Sequence, residues 1–334
     1  MSIKIVKPGL FSTIQDLGRF GYQDQGFSTA GALDPLHFQL GQALIHNEGP
    51  AIECAMIGPT IEFLEPNTFV ITGAHFKATL NDQPVANQSV IMADKGDVLA
   101  LNQAVEGVRA YIHFGNPIDV PCVAGSYSTH TRSGIGGFHG RVLKANDIIQ
   151  MSDHEGYHKY AGLGSDVSLL PEDTSRFHII EGPQFDAFSD EAKATIVNND
   201  FTVSDQADRM GYRLQGVNLA PKNSSDIISE PVALGSIQVP NDGNPIVLLN
   251  DKQTVGGYTK IATVCKADLP FLAQKKPGDT INFEWISTEE ATKRYNEKIQ
   301  AFKQQLDQID SAPLFTLSQL RTTSQRLQKL LRGE

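Results

Sequence analysis

Three short stretches repeat one design: DKGDVLAL from Asp94, LKANDIIQM from Leu143 and KKPGDTINF from Lys275. Each sets a lysine ahead of a Gly-Asp or Asn-Asp pair and follows it with an apolar run. Gly and Asn tolerate the left-handed backbone that a tight turn requires, so each stretch reads as a turn that opens a hairpin. A chain organised this way is committed to short strands. The runs FVITGAHFKATLNDQPV, RAYIHF, FHII, PIVLLN and TINFEWI agree, being rich in β-branched and aromatic residues and bounded by Gly, Pro, Asn or Asp. Regular alternation of strands with helices is missing, which argues against a doubly wound parallel sheet. Recurrence of the design in both halves predicts β units of similar build in each.

Helices are few. DPLHFQLGQALIHN has Asp34 as N-cap and Pro35 in the first turn, with Leu36, Leu40, Ala43 and Leu44 as its apolar face. FSDEAKATIVNN predicts a second, short helix. After Trp285 the pattern changes. STEEATKRYNEKIQAFKQQLDQI opens on Ser287 with Glu290 three residues on, a capping box, and TLSQLRTTSQRLQKLLRG opens on Thr316 with Gln319 in the same place. The polar, Gly-rich segment Ser152 to Thr174 reads as a linker. The expected organisation is an N-terminal β-barrel subdomain over 1–151, a linker over 152–174, a C-terminal β-barrel subdomain over 175–286 and a helical hairpin over 287–334.

A length of 334 residues suits one large domain or two ordinary ones. The net charge of -10 argues against a general nucleic-acid binder but leaves room for a local cationic site that takes an anionic ligand. The opening MSIKIVKPGLF lacks an apolar signal region, and no run is long enough to span a bilayer, so a cytoplasmic protein with no membrane partner is expected. Cys54, Cys122 and Cys265 are odd in number and far apart, which predicts reduced and mostly buried thiols. His154 to His158 (HEGYH) matches the zinc-protease pattern formally. That chemistry needs both histidines on one face of a helix, and Gly156 interrupts it; no metal site is expected.

Polar residues gather in four places. The stretch STIQDLGRFGYQDQGFSTAGALD, Ser12 to Asp34, holds Gln15, Asp16 and Arg19 among glycines. GSYSTHTRSGIGGFHGR, Gly125 to Arg141, sets Arg132 and Arg141 beside exposed backbone N–H groups; it reads either as an anion site or as a Gly-rich hairpin with two surface arginines. SDQADRMGYRLQG crowds Arg209, Tyr212 and Arg213 around Gly211. SIQVPNDGNPIVLLNDKQTVGGYTKIATV brings Gln238, Asp251, Gln253, Thr254, Tyr258 and Lys260 around one strand, a common way to present side chains to a cleft.

Taken together, these blocks with EGPQFDAF and KKPGDTINF resemble the allophanate hydrolase subunit 2 family, in that family's order from about Gly9 to Phe283. The family includes Kip antagonist proteins, part of the carboxyltransferase domain of urea carboxylase, and one of the subunits of bacterial 5-oxoprolinase. The resemblance implies a mainly β fold of two cyclophilin-like β-barrel subdomains with few helices. It also implies partners: a subunit-1-like protein (the B subunit of 5-oxoprolinase) and a LamB/YcsF-type protein (its A subunit). The implied reaction is the ATP-dependent opening of 5-oxo-L-proline to L-glutamate, with the ATP site either on this chain or on a partner. Under it the arginines would bind carboxylate or phosphate, Lys260 or Tyr258 would polarise the lactam, and Asp16 would fix an arginine. Gln15, Asp16, Arg19, Arg132, Arg141, Arg209, Tyr212, Arg213, Gln238, Asp251, Gln253 and Thr254 would line the substrate site. Two alternatives stand: carboxyl transfer from biotin to urea or a related amide, with the biotin on another protein, and a regulatory binder of a sensor-kinase inhibitor.

Overall fold

The computed structural model describes residues 1–170 and 175–315. The second expected C-terminal helix, from Thr316, lies outside these. The chain forms two compact units. Among the described residues one takes 1–17, 35–169 and 302–315, and the other takes 18–34, 170 and 175–301. The fold is mainly β. Among the described residues no helix is long and apolar enough to cross a membrane.

The first unit is built on two large antiparallel sheets around one core, with a small two-stranded sheet of Leu163–Gly164 and Leu314–Phe315. One sheet runs Ile148–Gln150, Ser2–Lys7, Thr60–Phe63, Val98–Ala100, Thr79–Leu80, Gln83–Pro84. The other runs Phe11–Gln15, Ala51–Ala55, Ala104–Phe114, Asn67–Phe76, Ile91–Ala93. Alternation along the strands sends Ile3, Ile5, Ile61, Phe63 and Leu99 from one sheet, and Ile14, Ile52, Cys54, Ile71 and Ile112 from the other, into a common core. Each such side chain contributes roughly 1.5–3 kcal/mol by leaving water. The opposite face of the five-stranded sheet carries a buried polar row. Thr13, Glu53, Tyr111 and Thr72 stand in register across four strands. Tyr111 donates to Glu53 (2.9 Å), and Thr72 donates to the carbonyl of His37 (2.7 Å) on the helix Pro35–Ile45.

The second unit is a closed barrel of seven strands. Its order is Arg176–Glu181, Lys260–Val264, Ser236–Gln238, Ile246–Leu248, Gly211–Gln215, Phe201–Val203, Thr280–Trp285, closed by a parallel pairing of first and last. Phe177, Ile179, Phe201, Ile237, Val247, Ile261 and Ile281 fill it. A separate two-stranded ribbon, Asp226–Pro231 with Val255–Tyr258, stands outside the barrel sheet. Helix Asp190–Asn198 is capped by Ser189, which accepts from the Ala192 N–H. Helix Thr288–Ser311 starts on Ser287, which accepts from the Glu290 N–H (3.1 Å). The Glu290 carboxylate, expected to complete a capping box, accepts instead from Arg294 one turn on (2.9 Å).

The three repeated turns share one geometry. In each, the Asp carboxylate accepts from the N–H three residues earlier: Asp97 from Asp94, Asp147 from Lys144 and Asp279 from Lys276. The residue before each Asp, Gly96, Asn146 or Gly278, has φ of 87, 70 or 89°, the mark of a type II turn. Each turn also grips one residue of another strand by two backbone hydrogen bonds: Phe63, Ile5 and Val203 respectively. They therefore do not open hairpins. The strands they deliver pair with partners from elsewhere in the chain: Val98–Ala100 with Thr60–Phe63, Ile148–Gln150 with Ser2–Lys7, and Thr280–Trp285 with Phe201–Val203.

Two of the cysteines are buried, as expected, but Cys122 is exposed. HEGYH runs as successive turns with Gly156 at φ 92°, and not as a helix.

Candidate functional site

In the second unit a polar cluster forms around the first residue of the strand Lys260–Val264. Gln238 is the cross-strand partner of Lys260, and the register shifts between Ile237 and Gln238, an irregularity that re-aims side chains. The loop after Arg176–Glu181 supplies Gln184. Its side-chain carbonyl accepts the Lys260 N–H (3.1 Å), and its own N–H donates to the Lys260 carbonyl (3.2 Å). Its amide nitrogen donates to Glu230 Oε1 (2.8 Å). The Lys260 Nζ lies 3.0 Å from the same carboxylate oxygen and donates to the Tyr258 carbonyl at 3.0 Å. An ammonium carries three protons to donate, and the Lys260 side chain that presents them is 1% exposed. The Lys260 ammonium first, then the Gln184 amide, hold the Glu230 carboxyl below the usual carboxylate range. Gln238 lies over Gly256: a Cβ there would come within 2.5 Å of its amide nitrogen. Tyr258 contributes its carbonyl, and its ring is partly exposed.

Arg209 and Asp251 form a buried bidentate pair, with Nε–Oδ2 at 3.0 Å and Nη2–Oδ1 at 2.9 Å. The same Nη2 donates to the Gly31 carbonyl (2.7 Å). Asn250 donates to the Ala32 carbonyl (3.0 Å), its own carbonyl accepts the Ala30 N–H (3.0 Å), and Ser28 donates to the Lys252 carbonyl (2.7 Å). These bonds pin residues 28–32 to the end of the strand Ile246–Leu248. Arg209 and Asp251, expected to bind substrate, hold this loop. Tyr212 lies in the interior of the barrel. Its ring fills the barrel core, and its hydroxyl donates to the Lys275 carbonyl (3.0 Å). Alternation turns the next residue, Arg213, outward, where it is exposed. Gln253 is exposed, Thr254 is half-buried, and Arg19 is wholly buried.

In the first unit Gln15 and Asp16 meet the Gly-rich segment. Gln15 donates to the Thr129 carbonyl (3.1 Å). The Asp16 carboxylate accepts from Ser126 (2.7 Å), from the Tyr127 N–H (2.7 Å) and from Ser128. Asp16 thus shapes the loop over 125–129. Arg141 is held by Asp147 in a bidentate pair (2.7 and 2.8 Å) and donates to the Val142 carbonyl (2.9 Å). Its guanidinium braces the second of the repeated turns. Arg132 is exposed. The stretch Ser12 to Asp34, read as one wall, divides after Leu17 between the two units.

Two residues of the Lys260 cluster escaped sequence reasoning. Gln184 lies inside EGPQFDAF, so the block was visible and only the residue was missed. Glu230 sits in DIISEP, where no motif marks it, and it is thirty residues from its lysine.

The family described as "Carboxyltransferase domain, subdomain A and B" matches residues 25–285. The chain is 35% identical to the C subunit of 5-oxoprolinase from Escherichia coli (strain K12), over 90% of this chain and 97% of that protein. It is 38% identical to the C subunit of 5-oxoprolinase from Haemophilus influenzae, over 86% of this chain and 92% of that protein. Among solved structures, the K. lactis urea amidolyase superposes with a TM-score of 0.81 at 26% identity, covering 91% of this chain and 20% of that one.

Proposed function

We propose that this chain, which belongs to the carboxyltransferase subdomain A and B family, is the C subunit of a 5-oxoprolinase. The observation that carries this reading is the extent of the match. The two 5-oxoprolinase C subunits are matched over 97% and 92% of their lengths, whereas only 20% of the urea amidolyase chain is matched. The reading sets the chain to work in the cytoplasm with a subunit-1-like protein and a LamB/YcsF-type protein, the B and A subunits of the enzyme, and active only in that complex. The reaction is the opening of the 5-oxo-L-proline lactam to L-glutamate, driven by ATP bound here or on a partner. A lactam is a poor electrophile. Transfer of the terminal phosphoryl group of ATP to its oxygen releases ADP and makes the ring carbon electrophilic. Water adds to that carbon, the C–N bond breaks to free the amine and leave an acyl phosphate, and a second water hydrolyses this to L-glutamate and phosphate.

The Lys260 cluster suits part of this task. A buried ammonium beside a carboxylate and two carboxamides is a preorganised donor for an oxygen that gains negative charge. In this reading Lys260 faces the lactam oxygen, Glu230 and the Tyr258 carbonyl hold it in place, and Gln238 meets the lactam N–H. Arg213, Gln253 and Thr254, in the same unit as Lys260, remain the residues proposed to meet the carboxylate and phosphate groups. A second reading, biotin-dependent carboxyl transfer to an amide, is favoured by the family and by the superposition on urea amidolyase; the biotin would be carried by another protein. The test is glutamate formation from 5-oxoproline and ATP with the three subunits present and with each left out. Activity that needs this chain is the expected result. No activity in a well-folded complex, with capture of a biotin carrier, transfers the reading to carboxyl transfer.

A further inference from the structure

The ribbon outside the barrel sheet carries the most exposed large apolar side chain among the described residues, Ile228, at 94% exposure. The register explains why. Asp226 pairs with Tyr258 and Glu230 with Gly256, so four steps on one strand match two on the other. The extra residues form a bulge that pushes Ile228 outward, and bulges commonly serve to re-aim a side chain. Val255 (49%), Tyr258 (39%) and Leu234 (36%) extend the apolar surface on and beside the ribbon. An isoleucine left this open gains nothing for the fold, since its burial would contribute roughly 1.5–3 kcal/mol.

Three features say what covers it. The outer edge of Asp226–Pro231 is blunted against strand addition, because it is short, bulged and ends in Pro231, which has no N–H to donate. The occupant therefore receives side chains and does not extend the ladder. A second copy of this chain is disfavoured by charge. A two-fold antiparallel contact centred on Ile228 would set Asp226 against Glu230 on both sides, and like charges opposite one another repel. Finally, the fold makes up only 20% of the K. lactis urea amidolyase chain, so there it is made together with further polypeptide.

We infer that Ile228 is the anchor by which this chain docks on its partner polypeptide, whose matching surface is an apolar pocket with Lys or Arg on the rim facing Asp226. This rests on the reading of the chain as one member of a multi-subunit complex. The net charge of -10 favours encounter with a cationic face of that kind. Glu230 lies two residues from the anchor and holds Lys260, so docking bears on the strand that carries the candidate site.

The experiment measures binding of the purified subunit-1-like protein from the same organism to wild type, Ile228→Asp and Asp226→Lys. Ile228→Asp should weaken binding at least about 30-fold, the scale of an interface hot spot, with thermal melting unchanged. Asp226→Lys should weaken it and reduce its dependence on salt. Hydrogen exchange of residues 226–231 should slow when the partner is added. If wild type binds while Ile228→Asp binds equally well and exchange in 226–231 is unaffected, the docking site is wrong and the subunit reading survives. If wild type does not bind, the subunit reading fails and this inference falls with it.

Discussion

The Lys260 ammonium stands 3.0 Å from Glu230, with the lysine side chain 1% exposed and the glutamate side chain 38% exposed. A buried cation thus has a partly exposed counter-ion. Lys260→Met should leave a folded protein and lower glutamate formation by about 100-fold, the usual loss when a preorganised donor to developing negative charge is removed. Steady-state assay of the three-subunit complex checks this.

Glu230→Gln should lower the melting temperature at neutral pH, because the lysine loses its counter-ion. The Glu230 carboxyl is depressed in the folded protein from its ordinary value of 4.5. A depressed carboxyl contributes stability above its unfolded value and loses it as pH falls through the folded one. The difference in melting temperature between wild type and Glu230→Gln should therefore be full at pH 7 and close below about pH 4.5. Melting curves across that range read it directly.

Arg209→Ala removes one partner from a buried bidentate pair and releases the Gly31 carbonyl. A loss of about 3–5 kcal/mol in stability is expected. Arg209→Ala with Asp251→Ala should be less destabilised than the sum of the single variants, since no lone charge remains buried. Denaturant titration gives the energies. Hydrogen exchange over residues 28–32 should rise in each variant, because these bonds pin that loop.

Gly256→Ala places a methyl within 2.5 Å of the Gln238 amide nitrogen and 2.9 Å of Val232. The Gln238 side chain must swing away. In the proposed reaction KM for 5-oxoproline should rise several-fold while melting changes little. Gly96→Ala, where φ is 87° and a Cβ meets nothing within 4 Å, is the contrasting case: it should cost about 1 kcal/mol through backbone strain and leave KM unchanged.

Lys298 donates to the Ala267 carbonyl (2.7 Å) and lies 3.6 Å from the centre of the Phe271 ring. Burial pulls its pKa down to about 8, against the raising effect of Asp268 and Asp34. The unfolded chain keeps this proton until near 10.5, so it binds more protons than the folded protein between pH 8 and 10.5. Stability arising from this group must rise with pH across that window. Lys298→Met should abolish the rise, which melting at closely spaced pH values will show.

Local features can be read directly from the order of residues. The three Lys…Asp turns were visible because the left-handed residue and the accepting aspartate lie within four positions of each other. Ser287 was visible as a cap for the same reason, and the strands through their composition and their turns. What followed each turn was decided only by the tertiary structure, because a strand's partner depends on which other strand the folded chain brings alongside. The charged residues show this most sharply. Arg209 finds Asp251 forty-two positions away, and Lys260 finds Glu230 thirty positions back. A sequence names the charges, but whether a charge faces a ligand or is satisfied inside the protein depends on chain closure. Closure tied Arg141 to Asp147 and Arg209 to Asp251, put Tyr212 in the barrel core, and set Lys260 beside Glu230 and Gln184.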